Sequence, residues 1–215
     1  MLENYVCKIY VSDTPGFSKS LEATAFGFYD GKCKHLLTAA HVVTDILGKK
    51  YPSSNNNKLY VIFHNHLGPV NTIPVPVEFI LKDCNDQSNF QGNMPFVDSA
   101  KMVLPPEMQQ PVFNYFKRRP PVDNMLTFGV GYPLGQTALS SVLGQIQEVT
   151  CGNCSKHFNQ HCTTRFTIKH YNEEGCSGGP YIIFDEGEYY VIGSLIGAMN
   201  NSKPPFLSVQ SSSGF

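Results

Sequence analysis

Short runs of apolar or alternating residues recur along the chain, separated by turn-forming residues. Runs of this kind, about four to eight residues long, are typical of antiparallel strands in a sandwich or barrel. Helix-period patterns are sparse and reach only 39–47 and 112–118. The sequence therefore predicts an all-β fold, with strands at 5–11, 23–29, 35–38, 59–63, 75–81, 126–130, 140–149, 166–170, 181–184 and 189–196.

A proline-rich stretch divides the chain into two lobes. Prolines stand at positions 105, 106, 111, 120 and 121. Because proline has no N–H to donate to a sheet ladder, such a stretch is typical of a crossing between lobes. We expect a first lobe at 1–105, a linker at 106–122, a second lobe at 123–200 and a flexible tail at 201–215.

Composition narrows the range of partners. The 215 residues are 41% hydrophobic, which is enough for a sizeable core, and the formal net charge is −1. A nearly neutral chain has no broad electrostatic attraction to nucleic acid or to an anionic membrane. We therefore expect a polypeptide substrate or partner, with no nucleic acid and no membrane, and the oligomeric state stays open.

The first residues lack the basic start and apolar core of a secretory signal, and no stretch reaches the length of a membrane span. The seven cysteines are odd in number, and Cys176 lies beside a candidate nucleophile. We therefore expect a soluble, cytoplasmic chain with mostly reduced thiols. Excision from a larger precursor would remove the basis for this expectation.

The segment Gly-Cys-Ser-Gly-Gly-Pro at 175–180, called the nucleophile turn below, carries the main chemical signal. A serine on a glycine-rich turn exposes its hydroxyl beside free backbone N–H groups, as attack on a carbonyl requires. Ser177 is the candidate nucleophile, with the N–H groups of Gly175 and Ser177 as oxyanion donors. His41 is the candidate general base, at a strand end that opens into a short helical turn. A glycine-rich loop or a core histidine would explain either signal alone, and only their joint occurrence favours catalysis.

Four segments follow the order found in chymotrypsin-fold serine proteases. They are Thr-Ala-Ala-His-Val-Val at 38–43, Asp-Ser-Ala at 98–100, Gly-Tyr-Pro-Leu-Gly-Gln-Thr at 131–137 and the nucleophile turn. The chain resembles this family over roughly residues 5–200. It is most similar to the Deg-type, high-temperature-requirement branch of the trypsin-like peptidases.

This resemblance implies two six-stranded antiparallel β-barrels with the active site in the cleft between them. His41 and Asp98 would come from the first barrel and Ser177 from the second, as a catalytic triad. The implied activity is that of a trypsin-like serine endopeptidase, which binds its substrate in an extended form and needs no cofactor.

Asp98 takes the place of the triad acid because its segment has the Asp-x-Ala pattern of the family and precedes an apolar run. Asp83 and Asp86 remain alternatives for the acid that orients His41, in which case Asp98 would cap a loop.

Cys176 departs from the family pattern. Digestive trypsins carry an aspartate at this position, which pairs with a freshly cleaved N-terminus. A cysteine cannot form that ion pair, so we expect no trypsin-like zymogen switch. A nucleophilic Cys176 is a second hypothesis because thiolates are strong nucleophiles, although the residue is one position away from the one that would face the histidine.

Cysteines and histidines crowd into the segment 151–162, as Cys151, Cys154, His157, His161 and Cys162. Thiolate and imidazole are the preferred ligands of structural zinc. A zinc knuckle normally has two separated pairs of ligands, so a solvated loop rich in cysteine and histidine stays an alternative to a zinc site.

The residues and the resemblance together predict a serine endopeptidase that works by acyl transfer. Two alternatives stay open. One is a catalytically inactive, protease-like module that binds peptides or acts as a scaffold, and the other is a protease domain released from a viral or cellular polyprotein.

Overall fold

The computed structural model describes residues 2–12, 21–29, 31–32, 34–39, 42, 59–65, 68–69, 73–75, 77–82, 98–102, 114–152, 163–169, 175–199 and 206–210. Within these ranges the chain forms one 3₁₀ turn, Leu2–Asn4, fifteen strands and a helical residue at Val42. No helix in the same ranges is long and apolar enough to cross a membrane. The predicted all-β class is confirmed.

Eight of the strands make up the first sheet, and every pairing in it is antiparallel. The strand order is β5-β4-β1-β2-β3-β8-β7, with β6 also paired to β4. The strands are β1 (Val6–Ser12), β2 (Leu21–Tyr29), β3 (Lys34–Thr38), β4 (Leu59–Asn65), β5 (Gly68–Pro69), β6 (Ile73–Val75), β7 (Val77–Lys82) and β8 (Asp98–Met102).

The second sheet has seven strands in the order β13-β10-β11-β12-β15-β14-β9. They are β9 (Lys117–Arg118), β10 (Leu126–Gly131), β11 (Ser140–Gly152), β12 (Thr163–Lys169), β13 (Pro180–Asp185), β14 (Glu188–Met199) and β15 (Phe206–Gln210). Because β13 also pairs with β14, six of these strands pair in a ring, and β9 adds to β14 as a parallel strand.

The prediction of two closed six-stranded barrels holds only in its coarser form, as two β-sheets built from successive parts of the chain. The described pairings leave the first sheet as an open path from β5 to β7. In the second sheet, β9 lies outside the ring.

The segment 201–215, predicted as a flexible tail, contains a strand. β15 pairs with β12 on one side and with β14 on the other, so it is an interior strand of the second sheet. Its five residues carry little pattern of their own. The hydrogen bonds of two neighbouring strands order residues 206–210.

An extended segment around Phe116 joins the two sheets. The Tyr29 N–H donates to the Phe116 carbonyl at 3.0 Å, and the Phe116 N–H donates to the Gly27 carbonyl at 2.9 Å. The next two residues pair with β14 of the second sheet. The helix predicted at 112–118 is therefore wrong at Phe116–Arg118, because an extended backbone bonds to both sheets at once.

A hydrophobic cluster lies between the sheets. Phe116 is fully buried and stacks on Tyr5 with ring centroids 4.6 Å apart. Both sheets contribute side chains, which are Val6, Phe26, Phe28, Leu37, Phe116, Val130, Tyr132, Ile182 and Val191. Burying this apolar surface is the main force that holds the sheets together.

Strand alternation decides which β2 residues face the second sheet. Phe26 and Phe28 lie in the cluster between the sheets, so Thr24 and Glu22, two and four residues earlier, point the same way. The same face of β1 carries Lys8, which is paired with Thr24 in the strand register. A polar row of Lys8, Glu22 and Thr24 thus continues the apolar contact surface.

Lys8 and Glu22 form an ion pair in this row. The Lys8 Nζ lies 2.7 Å from the Glu22 Oε2, with side chains 2% and 22% exposed. The pair also bonds to the connection between β10 and β11 of the second sheet, since Lys8 Nζ donates to the Gln136 carbonyl at 3.0 Å and Glu22 accepts from the Gly135 N–H at 2.9 Å. The ion pair therefore fixes the 131–137 segment against the first sheet.

We predict that Lys8 and Glu22 are energetically coupled. A double-mutant cycle of Lys8→Met and Glu22→Gln, measured by urea unfolding, should give a coupling free energy of about 1–3 kcal/mol, because the pair is largely desolvated. The matched control is Lys117 with Glu188, which has the same 2.7 Å separation but 59% and 51% exposed side chains. Solvent screening should leave that pair with much the smaller coupling, and equal couplings would contradict the prediction.

Candidate active site

The nucleophile turn is a four-residue hydrogen-bonded turn. The Gly179 N–H donates to the Cys176 carbonyl at 2.9 Å, with Ser177 and Gly178 at the two central positions. Gly178 has φ +82°, the left-handed value that a type II turn requires at its second central position. A half-buried Ser177 therefore stands at the corner of the turn.

Gly178 brings the turn into direct contact with the first sheet. A Cβ added at Gly178 would overlap the Thr38 hydroxyl and would lie 2.5 Å from the Thr24 carbonyl oxygen and 2.7 Å from the Ala39 nitrogen. A side chain at this position would have to displace backbone atoms. The absence of one lets the turn approach the end of β3.

Gly175 packs in the same way against the 131–137 segment. It has φ +87°, and an added Cβ would lie 2.5 Å from the Leu134 nitrogen and 2.8 Å from the Tyr132 carbonyl oxygen. The third and fourth segments of the predicted motif order are therefore in contact in the fold.

Thr24 connects these parts by hydrogen bonds. Its N–H donates to the Ser177 carbonyl at 3.0 Å, and its hydroxyl donates to the Gly175 carbonyl at 3.1 Å. The hydroxyl also accepts from the Tyr132 N–H at 2.9 Å, and the Thr24 carbonyl accepts from the Thr38 hydroxyl at 2.8 Å. One residue of the first sheet thus bonds to both lobes around the turn.

The two N–H groups predicted as oxyanion donors are those of Gly175 and Ser177. Within the described part of the chain, neither N–H donates a hydrogen bond. The neighbouring N–H groups are engaged, since Gly178 donates to the Leu195 carbonyl at 2.9 Å and Gly179 donates to Cys176. Among the described residues, the N–H groups of Gly175 and Ser177 therefore have no acceptor, whereas those of Gly178 and Gly179 do.

Cys176 points away from this surface. It is buried in the core cluster of the second sheet, together with Ile146, Ile168 and Tyr181. A Cβ added at Gly131 would lie 3.0 Å from the Cys176 Sγ, which shows how closely the thiol packs on that backbone. This orientation favours Ser177 over Cys176 as the nucleophile.

The other two predicted triad members are described only in part. His41, Asp83 and Asp86 lie outside the described residues, and of Asp98 the structure gives the backbone, as the first residue of β8. The register pairs Thr38 with Ala100 in antiparallel strands. Asp98, two residues before Ala100, therefore lies at the end of the sheet that Gly178 touches.

The zinc hypothesis rests on residues that are largely outside the described ranges. Cys154, His157, His161 and Cys162 are not described, and Cys151 is described only as a backbone position near the end of β11. Elsewhere, among residues whose side chains are described, no group of His, Cys, Asp and Glu is arranged to hold a metal ion.

The motifs assigned no role to Thr24, or to Thr38 at the start of the 38–43 segment, and both contact the turn from the first sheet. The signal for Thr24 was present in the strand pattern. It is the single hydroxyl-bearing residue on the face of β2 that carries Glu22, Phe26 and Phe28. Which partner that face meets depends on the packing of the two lobes, and the motif gives no information on it.

Several solved serine proteases are similar to the chain in structure. The protease Rv3671c of M. tuberculosis, in its active form, has a TM-score of 0.62 and 24% identity, covering 98% of this chain and 77% of that one. The protease Anisep of Arthrobacter nicotinovorans has a TM-score of 0.60 and 17% identity, covering 99% and 91%. The serine protease domain of the Sesbania mosaic virus polyprotein has a TM-score of 0.56 and 14% identity, covering 97% and 88%.

The fold is that of the chymotrypsin-like serine proteases. This confirms the resemblance inferred from the four segments. No protein-family model and no curated protein sequence matches the chain. The chymotrypsin-like fold is thus established by structure, and the chemistry of this chain has to be argued from its own residues.

We predict that Gly178→Ala disrupts the turn far more than an equally left-handed glycine elsewhere. The control is Gly187→Ala in the β13–β14 hairpin, where φ is +83° and nothing lies within 4 Å of an added Cβ. The control should lose about 1–2 kcal/mol of unfolding free energy from backbone strain. Gly178→Ala should lose at least about 2 kcal/mol more, because its Cβ meets Thr24 and Ala39 backbone atoms. Urea unfolding of both variants is the measurement, and equal losses would contradict the prediction.

Proposed function

We propose that the chain is a serine endopeptidase in which Ser177 is the nucleophile, His41 the general base and Asp98 the acid that orients His41. The observation that carries the proposal is the half-buried Ser177 on a turn pressed against the end of the first sheet, with the N–H groups of Gly175 and Ser177 donating to no described residue. Asp98 begins its strand at this end, and β3 ends there three residues before His41. Likeness to serine proteases supports the same assignment.

Acyl transfer follows from these roles. The Ser177 Oγ attacks the carbonyl carbon of the scissile peptide bond while His41 takes the hydroxyl proton, and the carbonyl electron pair moves onto its oxygen. That oxygen accepts hydrogen bonds from the N–H groups of Gly175 and Ser177. A donor of this kind contributes about a hundred- to a thousand-fold in rate.

The intermediate then collapses and expels the amine half of the substrate, which receives the proton from His41. An ester joins the acyl half to Ser177. His41 next removes a proton from water, the resulting hydroxide attacks the ester, and Ser177 regains its proton as the acid product leaves. No step needs a metal or an organic cofactor, so zinc at 151–162 would be structural.

Peptides are the substrate class that fits this chemistry. An extended peptide can pair its backbone with an edge strand beside the active site, and the side chains that alternate along the peptide give specificity.

Cys176 does not offer the carboxylate that a trypsin-like zymogen switch uses. We therefore expect activity without a defined cleavage at the N-terminus.

We predict that a fluorophosphonate probe labels the chain at Ser177. Ser177→Ala should abolish labelling and lower peptide hydrolysis by at least about 10⁴-fold, since removal of the nucleophile leaves only the residual rate of binding and the oxyanion hole. Cys176→Ala is the matched control and should still be labelled, because the Cys176 thiol is buried in the core of the second sheet.

Labelling and hydrolysis are measured together by mass spectrometry and with a peptide library. Absence of both labelling and hydrolysis in a folded wild-type chain would support the inactive binding module instead. Loss of hydrolysis in Cys176→Ala with retention in Ser177→Ala would identify the thiol as the nucleophile.

A further inference from the structure

The geometry points to Thr24 as a positioning residue for the nucleophile turn, acting from the first sheet to hold the two predicted oxyanion donors in place. This inference rests on the proposed function. It adds a residue outside the triad and outside the oxyanion hole, whose side chain would affect the rate of acyl transfer without touching the substrate.

Thr24 holds the turn at two points. Its hydroxyl donates to the Gly175 carbonyl and its N–H donates to the Ser177 carbonyl. The N–H groups of the same two residues are the proposed oxyanion donors. A bonded carbonyl fixes the peptide plane on the C-terminal side of its residue. The N–H of that residue lies one peptide plane earlier, so it can move relative to the fixed plane only by rotation about φ and ψ of that single residue.

The turn needs hydrogen bonds from outside itself to stay ordered, because many of its residues are glycines. Gly175 and Gly178 both have positive φ, and glycine crosses between backbone regions with little steric resistance. A segment built in this way has several conformations of similar energy. Hydrogen bonds from an ordered strand select one of them.

Thr24 is itself firmly held. It is fully buried, its hydroxyl accepts from the Tyr132 N–H, and its carbonyl accepts from the Thr38 hydroxyl. Since the hydroxyl oxygen accepts a hydrogen bond from the Tyr132 N–H, its own hydrogen points to the Gly175 carbonyl. The side chain therefore uses its donor and an acceptor position at once, and valine, which has the same shape, supplies neither.

The test compares three threonine variants by steady-state peptide hydrolysis, with active sites counted by fluorophosphonate titration. Thr24→Val should lower kcat about 10- to 100-fold and leave KM within about threefold, because a displaced donor weakens the transition state more than the ground state. Thr24→Ser keeps the hydroxyl and should restore kcat to within about threefold of wild type.

Thr127→Val is the matched control. Thr127 is also fully buried, and its hydroxyl donates to the Ile182 carbonyl at 2.8 Å, away from the nucleophile turn. The Thr127→Val variant loses a buried hydrogen bond from a threonine hydroxyl to a carbonyl. It should therefore lose stability and keep kcat within about threefold. A kcat loss in Thr127→Val as large as that in Thr24→Val would overturn the inference, as would an unchanged kcat in Thr24→Val.

Two further arms cover the other outcomes. If Thr24→Val does not fold, Thr38→Val replaces it. This variant removes the hydrogen bond to the Thr24 carbonyl and should also lower kcat. An unchanged kcat in Thr38→Val counts against the inference.

If the folded wild type is not labelled, the proposed function fails by itself. Hydrogen exchange at the Gly178 and Gly179 N–H groups then tests the hold alone, with faster exchange expected in Thr24→Val and not in Thr127→Val.

Discussion

The contact between the nucleophile turn and the first sheet is the constraint on which the rest of the structure depends. At Gly178 two backbones meet with no room for a side chain, so the nucleophile turn, which leads into the second sheet, lies against the end of a strand in the first sheet. Neither lobe holds the arrangement alone. Any change in how the sheets pack changes the position of Ser177 relative to the strand that leads to His41.

Hydrophobic and polar interactions both stabilise this contact. The hydrophobic cluster around Phe116 supplies most of the attraction between the sheets, and it tolerates small shifts because it is not directional. The polar row of Lys8, Glu22 and Thr24 does not tolerate them, since a buried donor or acceptor that loses its partner costs about 1–3 kcal/mol. The apolar cluster thus supplies the attraction between the two sheets, and the polar row fixes their relative position along β2.

Much of the strand pattern was predictable because alternation and turn residues are local signals. Most runs read from the sequence correspond to strands, including the long β11 and β14. The strands that the sequence did not predict are short, as β5 is, or are stabilised mainly by hydrogen bonds to neighbouring strands, as β15 is. Phe116 shows the same limit, because its extended backbone is explained by Gly27 and Tyr29, which are far away in sequence.

The candidate site was predictable where a residue type has few other uses. A serine in a glycine-rich segment and a histidine after an apolar run are recognisable without a fold, and the described hydrogen bonds place Ser177 at the corner of a tight turn. Thr24 was not recognisable in this way, since threonine is common in strands for reasons of backbone preference alone. Its importance depends on four hydrogen bonds to residues from three separate parts of the chain.

The interior place of β15 has a consequence for the order in which the molecule is assembled. A ring of six strands cannot close while one of its interior members is missing, and that member is residues 206–210. A ribosome makes the chain from the N-terminus, so the first sheet is available long before the second can close. Ser177 lies about thirty residues before this strand, so the sheet that carries the nucleophile turn closes only after residues 206–210 have been made.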